Sequence, residues 1–427
     1  MEVRAVRGMK DILPDQAARW QRLEQLFRTL VERHGYGEVR TPLIEPTELF
    51  VQEIGEDTDV VAKEMYSFER HGDHLTVRPE GTAGCTRAYV QNAVAGREPV
   101  SRWYYLGPMF RAERPAKGRY RQFHQGGCEI YGDPGPLCDA ELIDLCAEFI
   151  QALGIDAFQI HVNSLGSSGV RERYRDALVR HFAPLAASLS EDSQRRLKTN
   201  PLRILDSKAA QDQDAIAAAP SVVELLDGED AEHFERLKRY LDVLEVPYVV
   251  DPKLVRGLDY YTRTLFELKE TSGTLGSQDA LLGGGRYDGM VSRLGGKKPV
   301  PAIGFAMGIE RILTLIEDDE PRRAPACYLA PMTEPARERA IALAKQLRRR
   351  GWTCEVDGRG LSVKAMLRRA NSLGSTLALL IGDSELERGV VTVKNLAAHE
   401  QDEVPLEDAA ATLAGRLEAS REEGGSP

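Results

Sequence analysis

The run Arg119-Tyr120-Arg121-Gln122-Phe123-His124-Gln125-Gly126-Gly127-Cys128-Glu129-Ile130-Tyr131 reads as a strand with an unusual face. Strand side chains alternate, so one side carries Arg119, Arg121, Phe123, Gln125, Gly127, Glu129 and Tyr131. An apolar core face would not mix two arginines, a glutamine and a glutamate. Gly127 leaves a gap between Gln125 and Glu129, wide enough for a small ligand. Phe123 has a ring on which a base can stack, and an arginine beside it can meet a phosphate. The same pattern also suits a solvated sheet face with cross-strand ion pairs.

Its partner lies just upstream. Arg102 to Arg111 contains Trp103, Tyr104, Tyr105 and Phe110, and the loop Arg114-Pro115-Ala116-Lys117-Gly118 connects the two. The spacing predicts an antiparallel hairpin with a basic tip, and Arg111 then faces Arg119 and Arg121 as a candidate phosphate ligand.

Outward from this hairpin, Trp20, Leu23, Leu26, Phe27, Leu30 and Val31 recur at helical spacing behind Pro14-Asp15, and Gly35 ends the helix. Glu38 to Ile44 reads as one extended piece, with Pro42 placing it at an edge or interface. Leu75 to Arg78 reads as a strand and Gly81 to Ala93 as a helix. Charged, Ala-rich helical sequence from about 169 to 246 looks like an insertion. Strand-like sequence resumes over Leu254 to Leu268, at Gly283-Gly284-Gly285 to Tyr287, and over Ala302 to Met307 before a helix from Ile309 to Ile316. The polar run Glu317 to Arg323 marks a boundary. Beyond it strands (Cys327 to Ala330, Thr353 to Val356, Leu377 to Ile381) alternate with helices (Pro335 to Arg349, Val363 to Asn371), the pattern of an α/β domain. The tail 421–427 is expected to be disordered.

Composition narrows the function classes. The 427 residues suit roughly two to four domains. No run of about 18 apolar residues is present, which excludes a helical membrane span, and the first residues lack an apolar signal region. A net charge of −10 argues against a generally basic coat but permits a local basic groove. Six scattered cysteines without a Cys-x-x-Cys pair suit reduced thiols in cytoplasm and no structural zinc. His71 and His74 flank a Gly-Asp turn and read as surface residues. Gly-x-Ser-x-Gly, His-Glu-x-x-His and P-loop patterns are all missing.

Two further arginines stand out. Arg256 sits beside Gly257 in a strand-forming run, either as an edge-strand residue or where backbone approaches a ligand. Arg311 falls in the first turn of a helix, where the macrodipole disfavours a cation. Either an anionic ligand or a salt bridge, for instance to Glu310, would explain it. The triple glycine Gly283 to Gly285 suits a flat ligand on bare backbone or a flexible loop.

Taken together, these segments resemble the class II aminoacyl-tRNA synthetases, and among them the histidyl-tRNA synthetase family of bacterial type. Three class signatures occur in order: the helix and strand ending at Pro42, Phe110 to Arg114 with Arg119 to Phe123, and Gly304 to Arg311. Leu254 to Thr264 and Gly283 to Gly289 resemble the histidine-specific segments. The resemblance implies an α+β catalytic domain on an antiparallel sheet of six or seven strands (1–168 and 247–320), a helical insertion domain (169–246) and a C-terminal α/β anticodon-binding domain (326–420). It implies a homodimer, with L-histidine, ATP with Mg2+ and tRNA(His) as substrates. By residue, it implies that Glu80, Thr82 and Gln125 hold the α-ammonium group. Glu129 and Tyr261 would meet the imidazole, and Tyr287 would close a pocket that Tyr260 and Arg256 also line. Arg111 and Arg256 would bind the α-phosphate and act catalytically. Phe123 and Arg311 would sandwich the adenine, and Arg119 with Arg311 would meet the outer phosphates. The magnesium ligands stay unassigned. Ala116 stands at the hairpin tip where bacterial relatives often carry glutamine, which leaves the reading of the tRNA acceptor end open. The rival is a synthetase-like regulatory subunit of ATP phosphoribosyltransferase. Such paralogues typically lack the C-terminal domain and the phosphate-binding arginines, and this chain has both.

Overall fold

The computed structural model describes residues 3–55, 58, 60–116, 118–276, 279–316 and 325–423. In chain order, the strands up to residue 316 are β1 (Gly37–Glu38), β2 (Ile44–Pro46), β3 (Tyr66–Arg70), β4 (Asp73–Val77), β5 (Ser101–Phe110), β6 (Gln122–Tyr131), β7 (Phe158–Ser164), β8 (Tyr248–Val250), β9 (Thr262–Glu270), β10 (Ala280–Arg286) and β11 (Ala302–Gly308). The hairpin forms where the alternation puts it: β5 pairs antiparallel with β6 from Ser101↔Tyr131 to Phe110↔Gln122. It belongs to an eight-stranded sheet in the order β1-β5-β6-β11-β10-β9-β7-β8. The six central strands pair antiparallel with one another. The sheet is mixed rather than purely antiparallel, because β1 and β8 join its two edges in parallel. These strands of two and three residues carry too little pattern to be read from sequence.

The extended piece Glu38 to Ile44 divides. Its start pairs with β5, while Ile44 to Pro46 forms a separate small sheet in the order β2-β4-β3. Pro42 falls between the two, where no ladder needs its missing N–H. The expected strand from Leu254 also shortens, and only Thr262–Glu270 is one. In the preceding loop, Arg203 donates to the Gly257 carbonyl and Arg171 to that of Asp259, so side chains satisfy the backbone in place of a ladder.

The sheet separates two apolar layers. On one side Leu23, Phe27 and Leu30 of helix Pro14–Arg33 and Phe149 of helix Pro136–Ala152 meet Cys128, Ile130, Phe266 and Phe305. On the other side lie Tyr131, Tyr261 and Tyr287 with Tyr174, Phe182 and Leu202 of the 169–246 stretch. That stretch is helical and spans both layers, because Phe234, Leu237 and Leu241 of its last helix, Gly228–Val243, join the first.

The chain divides into compact units at Asp318/Asp319. The linker Glu317 to Arg323 lies outside the described residues. The second unit holds β12 (Cys327–Pro331), β13 (Cys354–Val356), β14 (Leu377–Ile381), β15 (Val390–Asn395) and β16 (Glu400–Pro405), in the order β13-β12-β14-β15-β16. The first three are parallel, as the alternation predicts, and the hairpin β15-β16 extends them antiparallel. Sequence reading missed this hairpin, although Val390-Val391-Thr392-Val393 is β-branched throughout. Helix Ala409–Glu423 includes 421–423 of the expected disordered tail, and 424–427 lie outside the described residues. Among the described residues no helix is long and apolar enough to cross a membrane.

One buried ion pair ties the first unit together. Asp139 and Arg286 are fully buried and joined at 2.6 Å. Thr264 donates to the same carboxylate at 2.6 Å, and Arg286 also reaches the carbonyls of Asp133 and Gly135. Removing one partner strands a buried charge, which costs about 3–5 kcal/mol. Asp139→Ala is therefore expected to lower unfolding stability by that amount. Urea titration of the two proteins checks it.

Candidate active site

The face of β6 that carries Phe123 and Gln125 opens into a cavity of about 230 Å³. Eleven of the twelve residues singled out as site candidates line it: Glu80, Thr82, Arg111, Arg119, Phe123, Gln125, Arg256, Tyr260, Tyr261, Tyr287 and Arg311. The twelfth, Glu129, lies beneath the surface, fully buried, and accepts a short hydrogen bond from the Tyr287 hydroxyl.

The inner end is polar and tight. Glu80 accepts backbone N–H bonds from Thr82 (2.8 Å) and Ala83 (2.9 Å) at the start of helix Thr82–Gln91, where a carboxylate suits the macrodipole. Burial still pushes its carboxyl above the usual range. Oε1 of Gln125 and Oε1 of Glu129 are both buried without a protein partner. Buried acceptors left unpaired are costly, and a ligand offering N–H donors relieves them. Tyr260 and Tyr261 form a wall, their ring centroids 4.6 Å apart.

Missing side chains make this space. Gly304 pairs with Glu129 across β11 and β6, and a Cβ there would overlap the Glu129 carboxylate. A Cβ on Gly283 would strike the Arg256 guanidinium. The glycine run is therefore a central strand over which side chains from elsewhere lie, not a flexible loop.

The outer end gathers cations. Arg256 forms a short ion pair with Glu267. Arg111 donates to the Pro79 carbonyl at 3.0 Å and lies 5.3 Å above the Phe123 ring. Arg119 sits 3.4 Å from Glu113. Arg311 donates to the Ala280 carbonyl, and its Nε is buried without a partner. Burial, with Arg119 nearby, lowers the pKa of Arg311. Glu310 does not pair with it, since that carboxylate accepts from the backbone N–H of His124 (2.9 Å) and meets its Nδ1 (2.9 Å). An arginine destabilised by burial and a like charge favours an incoming anion. Arg121 lies outside the cavity lining and donates to the Glu113 carbonyl, because the strand begins only at Gln122.

Sequence reasoning passed over Glu113 and weighed Glu310 only as a salt-bridge partner for Arg311, yet both line the cavity among the arginines. Both lie inside segments already quoted for their arginines, and a carboxylate within such a cluster was the available signal. Among the described residues no group of three or more His, Cys, Asp or Glu side chains is placed to hold a metal ion.

Comparison with known proteins gives the family. A family model described as histidyl-tRNA synthetase matches residues 8–312, and one described as an anticodon binding domain matches 326–416. The chain is 64% identical to a histidine–tRNA ligase of Sorangium cellulosum over 420 residues, 98% of each. It is 44% identical to the histidine–tRNA ligase of Geobacillus thermodenitrificans, over 96% of this chain and 97% of that one. The crystal structure of apo S. aureus histidyl-tRNA synthetase superposes with a TM-score of 0.81 at 34% identity, covering 97% of this chain and all of that one.

Burial pushes the Glu129 carboxyl up to about 8, against the pull of the Tyr287 hydroxyl. A carboxyl raised above its ordinary value favours the folded state in its protonated form. That contribution is complete below the ordinary value and is lost as pH rises through about 8. Glu129→Gln stays neutral, so the ligand-free variant is expected to lose less stability than wild type between about pH 5 and pH 8. Parallel urea titrations across that range give the comparison, and equal slopes would mean that Glu129 is ionised throughout.

Proposed function

The chain belongs to the histidyl-tRNA synthetase family, and we propose that its cleft carries out both steps of histidine–tRNA ligation. A carboxylate oxygen of L-histidine attacks the α-phosphorus of ATP and expels pyrophosphate, giving histidyl-adenylate. A hydroxyl of the 3′-terminal adenosine of tRNA(His) then attacks the carbonyl carbon and expels AMP. One observation carries this reading: two buried acceptors without partners, on Gln125 and Glu129, lie at the inner end of a cleft whose outer end holds four arginines.

Glu80, Thr82 and Gln125 receive the α-ammonium group. The vacant oxygen of Glu129 accepts an imidazole N–H, and Tyr261 meets the other ring nitrogen as donor or acceptor. Tyr287 closes the pocket and holds Glu129 in place, and Tyr260 supports the wall. Arg256 and Arg111 bind the α-phosphate, where negative charge grows in the transition state. Phe123 and Arg311 sandwich the adenine, and Arg119 with Arg311 meets the outer phosphates. The step is positioning plus charge stabilisation, so no general base is needed. A magnesium ion bound with the nucleotide would supply further charge neutralisation at the phosphates. One or two protein carboxylates plus phosphate oxygens would suffice to hold it, and Glu113 and Glu310 are the carboxylates that line the cleft among the arginines, Glu80 lying at the inner end.

In this proposal residues 1–168 and 247–320 form the catalytic domain, 169–246 an insertion and 326–420 the anticodon-binding domain. Arg348, Arg349, Arg350, Lys364, Arg368 and Arg369 supply its phosphate contacts. Exposed Leu43, Ile44 and Phe68, around the small sheet, support a homodimer through this region. Six free cysteines suit a cytoplasmic protein. A purely regulatory role fits less well, since all four arginines line the cavity and the second unit is present.

Histidine-dependent ATP–pyrophosphate exchange tests the first step. Arg256→Ala is expected to reduce exchange by about 10²–10³, the cost of one transition-state contact of this type. Exchange within tenfold of wild type would remove Arg256 from the α-phosphate. Ending the chain near residue 316 is expected to retain part of the exchange activity and to weaken tRNA(His) charging sharply. Charging kinetics compare the two lengths, and equal efficiency toward tRNA would deny the second unit a role in tRNA binding.

A further inference from the structure

Cys327 and Cys354 stand directly opposite each other on the adjacent parallel strands β12 and β13. Register partners point to the same face, and both thiols pack into the apolar cluster of Leu343, Leu347 and Leu377. Neighbouring strands run about 4.8 Å apart. Disulfides span Cα separations of roughly 4.4–6.8 Å, so the two sulfurs can join with little backbone movement. Their exposure differs. Cys327 is fully buried, whereas Cys354 is half-buried on the edge strand of its sheet.

The electrostatics separate them further. A hydrogen bond from the Cys327 thiol and the nearby Arg348 cation hold the Cys354 thiol below its ordinary range, against the effect of burial. Arg348 is anchored there, donating to the Cys354 carbonyl at 2.7 Å. Cys85, Cys128, Cys138 and Cys146 are all buried in the first unit, and burial raises each of their thiols. Thiolate character and access together set cysteine reactivity, and only Cys354 has both.

We propose that Cys354 and Cys327 form a hydroperoxide-responsive thiol pair, with Cys354 attacking and Cys327 resolving. The Cys354 thiolate attacks one peroxide oxygen. The O–O bond breaks, leaving a sulfenic acid on Cys354 and releasing hydroxide. The Cys327 sulfur then attacks the sulfenic sulfur; the S–S bond forms and the S–OH bond breaks. The departing hydroxide takes the thiol proton as water. In sum, two thiols lose two protons and two electrons, and hydrogen peroxide becomes two waters. The product ties edge strand β13 covalently to β12.

The test is hydrogen peroxide treatment of the folded full-length protein, followed by intact mass and peptide mapping. The expected result is a cross-linked peptide pair containing Cys327 and Cys354, reversed by dithiothreitol and formed about tenfold faster than oxidation at the other four cysteines. Cys327→Ser is expected to accumulate sulfenic acid at Cys354, trapped by dimedone, and Cys354→Ser to leave Cys327 reduced. Wild-type mapping alone can overturn the proposal. It does so if Cys354 is oxidised without the cross-link, or if another cysteine reacts first.

Discussion

The site depends on one constraint of close packing: the strand beside Glu129 has no side chain at Gly304. Strands in a sheet lie so near one another that any Cβ at that register would occupy the volume of the Glu129 carboxylate. The gap allows a carboxyl group to lie on the sheet floor, fully buried, with one oxygen held by Tyr287 and the other open. A second gap of the same kind, at Gly283, lets the Arg256 guanidinium lie across β10. The glycines act by exclusion, since they reserve volumes that other residues fill. Binding by such a floor rests on shape and unpaired polarity rather than on flexible contacts.

The arginine end follows different rules. On a chain with a net charge of −10, the cleft concentrates Arg111, Arg119, Arg256 and Arg311. Cations at this density repel one another, and local carboxylates offset the repulsion. Glu267 holds Arg256, and Glu113 lies near both Arg111 and Arg119. These glutamates keep the guanidinium groups ordered, so their donors are held in position without a bound anion. Net charge of the whole molecule says little about such a cleft, because the relevant field is set within a few ångströms.

Much of this was legible in the sequence because strand alternation is a strong signal. From Phe123 to Tyr131 each side chain lies on the face the pattern assigns, with Cys128 and Ile130 in the core and Gln125 and Glu129 toward the cleft. The pattern failed where its premise failed. Arg121 precedes the ladder, so alternation does not govern it. The run 254–261 has the composition of a strand, but its carbonyls are claimed by side chains from the 169–246 stretch, an interaction no local pattern encodes. The depth of Glu129 was also hidden, for it depends on a glycine 175 residues further along the chain. Glu113 and Glu310 were visible but weighed less than the arginines beside them.

The sheet order has a consequence for how the protein is made. β11 is the last strand of its sheet in sequence, yet it lies at the centre, between β6 and β10. Until residues 302–308 leave the ribosome, the β6 side that carries Glu129 is an unpaired edge, and β10 is another. Open edges with apolar side chains invite wrong partners. Pairing across so long a stretch of chain is slow to form, because loop closure comes before the contacts that reward it. A nascent chain therefore carries β6 from residue 131 and β10 from residue 286, with the central position between them vacant until residue 308. The glycines that make β11 fit between its neighbours also make it a slender element, able to enter late into a space already bounded on both sides.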